Sequence, residues 1–316
     1  MDSNFTKNTF SYRFFSLDSR SAILSLKQLI QKELFRVIDL YQQHWTVNIC
    51  EGEANTFRQQ IAVYLSKKII LSDSQSSFPG LIYSCAIAFP LANMTGLSPW
   101  LTARRLVALL PSVREKTDTV EIAVTIIESG RIEFRICDRD MIVWLNHLVA
   151  VITSQSDRQL SYSLKGKLNK LFPLQYICIR CASLLSLGAR EGLICLNNNP
   201  HDLRWLIKQP SVINWSDFQG DLCLVEIPER DLLRQICLML DYIAANEKYS
   251  LQHWQQFTVN MSAVWLRFVA QCSFCGKIKQ QNRTLATARL GLIALTHWCL
   301  QTIFASQFEF IVPKDL

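Results

Sequence analysis

The most suggestive chemistry in this sequence is two Cys-x-x-Cys pairs, Cys178/Cys181 and Cys272/Cys275. Two such pairs can supply the four thiolates of a tetrahedral zinc site. Both lie in stretches of strong helical periodicity, where residues three apart share a face, and the first has no Gly or Pro knuckle around it. Core packing is therefore the better reading for Cys178, Cys181, Cys272 and Cys275. Neither pair follows a strand as a thioredoxin-type redox motif would. The histidines at 44, 147, 201, 253 and 297 make no metal-binding spacing, and no nucleophile elbow, Walker loop or dinucleotide fingerprint is present. The expectation is a chain with no catalytic site, cofactor or metal.

The chemistry that does fit is the binding of a polyanion. The net charge is +7, and residues 151–316 hold 17 Lys/Arg against 12 Asp/Glu. No Asp or Glu occurs between Lys248 and Phe308, whereas Lys248, Arg267, Lys277, Lys279, Arg283 and Arg289 fall inside that stretch. An average composition would place about five acids there. Such a surface attracts phosphates and weakens with salt as counterions are released. Trp254, Phe257, Trp265, Phe268, Phe274 and Trp298 are interleaved with these cations. Exposed rings could stack on unpaired bases, although most of these recur at core spacing. Trp254 and Trp298, flanked by polar residues, are expected to be the exposed ones.

The elements that would position these groups divide the chain in two. Residues 1–20 read as an irregular leader, without the basic-then-apolar order of a signal peptide, so a cytoplasmic location is expected. Eleven scattered cysteines agree with a reducing compartment. Residues 21–153 read as α+β. Apolar residues recur helically over 21–43, and residues 57–70 form an element of uncertain type. A buried helix is expected over 81–95, stopped by Gly96, with another beginning at Ser98-Pro99. A hairpin over 120–136 and a helix from Asp138 follow. Residues 154–170 form a basic linker carrying Lys165, Lys167 and Lys170. Residues 171–316 read as an all-helical bundle, with helices at 173–187, 201–209, 229–245, 250–275 and 284–307. The charge-free run 290–308 is broken by Thr296, His297, Gln301 and Thr302, which favours a buried helix over a membrane span.

Taken together, these segments resemble arginyl-tRNA synthetase with its middle removed. The run from Tyr83 to Pro99, containing Leu91-Ala92 and Gly96, is similar to part of that family's N-terminal additional domain. Val120-Glu-Ile-Ala and Gly130-Arg-Ile-Glu-Phe resemble its hairpin. Leu174-Gln-Tyr-Ile-Cys-Ile-Arg180, the helix from Trp265 to Cys272, and Ala288-Arg-Leu-Gly-Leu-Ile293 are similar to its DALR anticodon-binding domain. The linker stands where the class I nucleotide-binding domain would be. Ala86, Cys178, Leu266, Val269 and Leu316 depart from residues usual in the family.

The resemblance implies a non-catalytic tRNA binder, most simply for arginine-type tRNA, partnered by a tRNA-modifying enzyme or a synthetase and independent of membranes. Two alternatives are a tRNA-docking subunit acting in trans with a catalytic chain, and a protein scaffold that no longer binds RNA. The expected RNA-contacting residues are Tyr83, Lys165, Lys167, Lys170, Tyr176, Arg180, Arg267, Lys277, Lys279, Arg283, Arg289 and Trp298. For Arg180 and Arg289 a helix-to-helix ion pair is the competing role.

Overall fold

The computed structural model describes residues 9–15, 25–45, 51–72, 80–110, 120–127, 129–154, 171–197, 206–309 and 312. The chain divides into two compact units, Met1–Val143 and Trp144–Leu316. The first is α+β, as expected; the second, expected to be all-helical, is mainly helical with one short strand pair.

Within the first unit a five-stranded antiparallel sheet has the order β1-β4-β5-β3-β2, formed by β1 (Thr9–Phe15), β2 (Ile69–Leu71), β3 (Leu81–Cys85), β4 (Val120–Ile126) and β5 (Ile132–Ile136). Val120, Ile122 and Val124 of β4 are buried, as are Ile132, Phe134 and Ile136 of β5. This period-two burial is what a one-faced sheet requires. The β4–β5 turn closes through Gly130, whose φ is +90°. A Cβ at Gly130 would lie 2.5 Å from the Pro99 carbonyl carbon, so no side chain fits. α1 (Leu26–Trp45) buries Leu26, Leu29, Ile30, Leu34, Val37, Ile38 and Tyr41 at helical spacing. α4 (Pro99–Leu109) starts where expected, with Ser98 Oγ accepting from the Leu101 amide and Pro99 in the first turn. It packs on α1 and on β4.

Two expectations for this half need correction, and one open segment is assigned. The supposed irregular leader contains β1, paired antiparallel with β4 from Thr9↔Thr125 to Tyr12↔Ile122. The aromatic-rich run suits a strand, and it covers an edge that β4 would otherwise leave open. The expected helix over 81–95 is a strand followed by a short helix, α3 (Ala88–Thr95). Pro90 explains the break: it is tolerated in the first turn but not inside a helix begun at Leu81. The uncertain segment 57–70 proves to be most of α2 (Glu51–Lys68) leading into β2. α5 (Asp138–Ser154) follows the hairpin as expected, and the boundary between the units falls inside it.

The second unit contains α6 (Phe172–Arg190), β6 (Cys195–Leu196), β7 (Ile207–Gln209), α7 (Ile227–Ala245), α8 (Leu251–Gln271), α9 (Lys277–Gln281) and α10 (Arg283–Phe308). α10 is the central helix, packed on α6 and α7, while α8 packs on α7 and α6. Residues 290–308 lie mostly in the core, as a buried helix should. Among the described helices, α6 alone is long and apolar enough to cross a membrane by length and composition. Its Leu174, Ile177, Cys178, Cys181 and Leu185 are nonetheless buried in the bundle.

The helix expected at 201–209 is not formed over its described part. Residues 207–209 instead pair with β6, and residues 201–205 lie outside the described residues. Pro210 disfavours the helical region at Gln209, which makes a helix ending there a poor choice. α8 ends at Gln271, four residues short of the expected 275, so Cys272 and Cys275 occupy the turn that follows rather than a helix. Gly276, with φ +66°, then leads into α9.

Candidate nucleic-acid interface

α6 carries no acidic residue, and its solvent side is ordered by helical spacing. Phe172, Tyr176, Arg180, Ser183, Ser186 and Arg190 are separated by three or four residues, so they form one stripe. Phe172 is 49% exposed and Tyr176 43%, large values for aromatic residues on a packed helix. Arg180 and Arg190 are exposed and make no hydrogen bond or ion pair with described residues. At ~1.5 Å per residue the stripe is about 27 Å long.

At its C-terminal end α6 meets α9 and the start of α10. Lys279 Nζ lies 2.9 Å from Glu191 Oε2, and Arg283 donates to the Gly192 carbonyl. Lys277 is exposed and unpaired among the described residues. The corner thus gathers Arg190, Lys277, Lys279 and Arg283 beside the Glu191 carboxylate. The arrangement combines two exposed rings, two guanidinium groups and a cationic end. It can hold phosphates and bases of a single-stranded or looped nucleic acid.

Other expected contacts are spent on the fold. Arg289 is buried, its Nε 2.6 Å from Glu229 Oε1, and a terminal N–H donates to the Ser273 carbonyl. Glu229 Oε2 also accepts the Glu226 amide at the start of α7. The ion-pair role therefore holds for Arg289, and phosphate contact does not. Tyr83 is fully buried in the sheet, and Trp298 is buried in the bundle, so neither ring can meet a base. Trp254, expected to be exposed, is buried too, as are Phe257, Trp265, Phe268 and Phe274. Arg267 remains half-exposed but lies 3.2 Å from Asp231. Lys248 donates to the carbonyls of Ser306 and Gln307 at the end of α10. Lys165, Lys167 and Lys170 lie outside the described residues.

Sequence reading missed Phe172 and Arg190. The available signal was the four-residue step back from Tyr176 to Phe172 on an acid-free helix.

At the far end of the bundle Tyr242, Tyr249, His253, Trp254 and Phe257 form an edge-to-face cluster, with His253 stacked on Tyr249 at 4.7 Å. Burial pushes the His253 imidazole below its usual value. Burial likewise pushes the Cys178, Cys181, Cys237 and Cys299 thiols well up, which keeps them protonated. No group of three or more metal-ligating side chains occurs among the described residues.

Comparison with protein-family models, curated proteins and solved structures finds no match to this chain.

Proposed function

We propose that this chain is a non-catalytic tRNA-binding protein, arginine-type tRNA being the cognate suggested by its sequence resemblance. The observation that carries the reading is the α6 stripe Phe172, Tyr176, Arg180 and Arg190, continued by Lys277, Lys279 and Arg283, of which Lys279 pairs with Glu191. Aromatic and cationic groups spaced one helical turn apart suit a folded RNA that offers both unstacked bases and backbone. The departures from the synthetase pattern, together with the burial of Tyr83 and Trp298, favour recognition by shape and phosphate over base reading.

Filter binding of unmodified tRNA across a salt series tests this. The logarithm of affinity should fall linearly with the logarithm of salt, at about −0.7 to −0.9 per phosphate neutralised. A flat response, or no affinity at low salt, would leave the scaffold reading in its place. That second reading draws on the pairing of Arg267, Lys279 and Arg289 with carboxylates.

A further inference from the structure

Opposite in character to the cationic stripe is the loop between β7 and α7. Residues 210–226 contain Asp217, Asp221 and Glu226 but no Lys, Arg or His. Within it a small hairpin is closed by an antiparallel bridge between Ser216 and Leu222 and by the Cys223 amide donating to the Trp215 carbonyl at 2.9 Å. Its root is fixed. Ile213, Trp215, Leu222 and Leu224 are buried, and Trp215 packs so closely on α10 that a Cβ at Gly291 would lie 2.5 Å from the indole ring.

The tip is fixed as well. The Asp217 amide donates to the Asp221 carbonyl at 2.8 Å, and Asp217 Oδ1 accepts from the amides of Gln219 and Asp221. Gly220, at φ +84°, completes the turn. On this tip Phe218 is 94% exposed, and Val212, Val225 and Ile227 are exposed in the same segment. A phenyl ring held in water on a hydrogen-bonded turn contributes nothing to the fold. It is, however, already ordered for insertion, so docking it sacrifices little conformational entropy.

We propose that this turn is a protein-docking element, with Phe218 entering an apolar socket on a partner whose rim carries Lys or Arg. The flanking Asp217 selects that rim by charge and disfavours RNA, whose phosphates it repels. A partner that itself handles nucleic acid has the required basic surface. The inference does not depend on tRNA binding by the α6 stripe.

A benzophenone amino acid placed at position 218 of the full chain, photoactivated in the source cells, tests it. The expected product is one dominant protein adduct. The identified protein, purified and recombined with the wild-type chain, should bind at least tenfold more weakly to Phe218→Ser. Asp217→Asn, which keeps the Oδ1 acceptor but removes the charge, should weaken binding several-fold and flatten its salt dependence. Both variants should retain the wild-type melting temperature and tRNA affinity, which separates this outcome from a failure of the RNA reading. Adducts mainly to RNA or to a second copy of the chain would overturn the proposal. So would the absence of any adduct, or equal binding of the recombined protein to Phe218→Ser.

Discussion

Arg289 of α10 and Glu229 of α7 form a buried ion pair at 2.6 Å, and each partner holds a second element in place. Glu229 accepts the Glu226 amide at the helix start, and Arg289 ties down the Ser273 carbonyl after α8. One pair thus joins three parts of the bundle. Removing either partner strands a buried charge, which costs about 3–5 kcal/mol. Arg289→Ala and Glu229→Ala should each lose stability of that order in urea unfolding. Arg289→Lys should recover little, since a lysine cannot make both contacts. A loss below about 1 kcal/mol would show that the pair is dispensable.

Acidification should destabilise the protein through His253. Desolvation among Tyr242, Tyr249 and Trp254 lowers its folded value, so the unfolded chain takes up the proton at higher pH. The neutral ring's contribution is complete above the unfolded value of 6.5 and is lost as pH falls below it toward the lower folded value. Melting temperatures between about pH 7.5 and 5.5 should therefore fall more steeply for wild type than for His253→Gln. Superimposable profiles would remove His253 from the account.

Thiol labelling tests the core reading of the cysteines. Exposed Cys195 should react with a thiol reagent in the folded protein, while Cys178 and Cys181 react only on unfolding. Zinc should change none of these rates. Protection of Cys178, Cys181, Cys272 and Cys275 by stoichiometric zinc would restore the metal reading.

Gly130→Ala combines a left-handed backbone with a Cβ set against the Pro99 carbonyl. A loss of at least about 2 kcal/mol is expected, read as a lower urea midpoint. Unchanged stability would contradict the close approach of the β4–β5 turn to α4.

Local signals were readable where one residue type decides the backbone. Ser98-Pro99 marked a helix start, and the alternation Val120, Ile122, Val124 against Ile132, Phe134, Ile136 marked a hairpin. β1 escaped because its partner in β4 lies far along the chain and no local turn joins them. Leu81–Cys85 escaped because a short apolar run suits a buried strand and a buried helix equally. The acid-free stretch misled about exposure. Glu191, Glu229 and Asp231 come from outside it and fold onto its cations, while its aromatics supply the core. What survived at the surface, Tyr176, Arg180 and Lys277, was named from sequence. The full stripe needed the burial of α6 to be seen.

The most direct test of the central claim is tRNA affinity of the triple variant Arg180→Glu, Arg190→Glu, Lys277→Glu. None of these side chains pairs with a described residue, so the fold should stand, with an unchanged melting temperature. The account expects affinity in about 0.1 M salt to drop at least tenfold and the salt slope to shrink by about two to three units. Wild-type affinity and slope in a folded triple variant would contradict it.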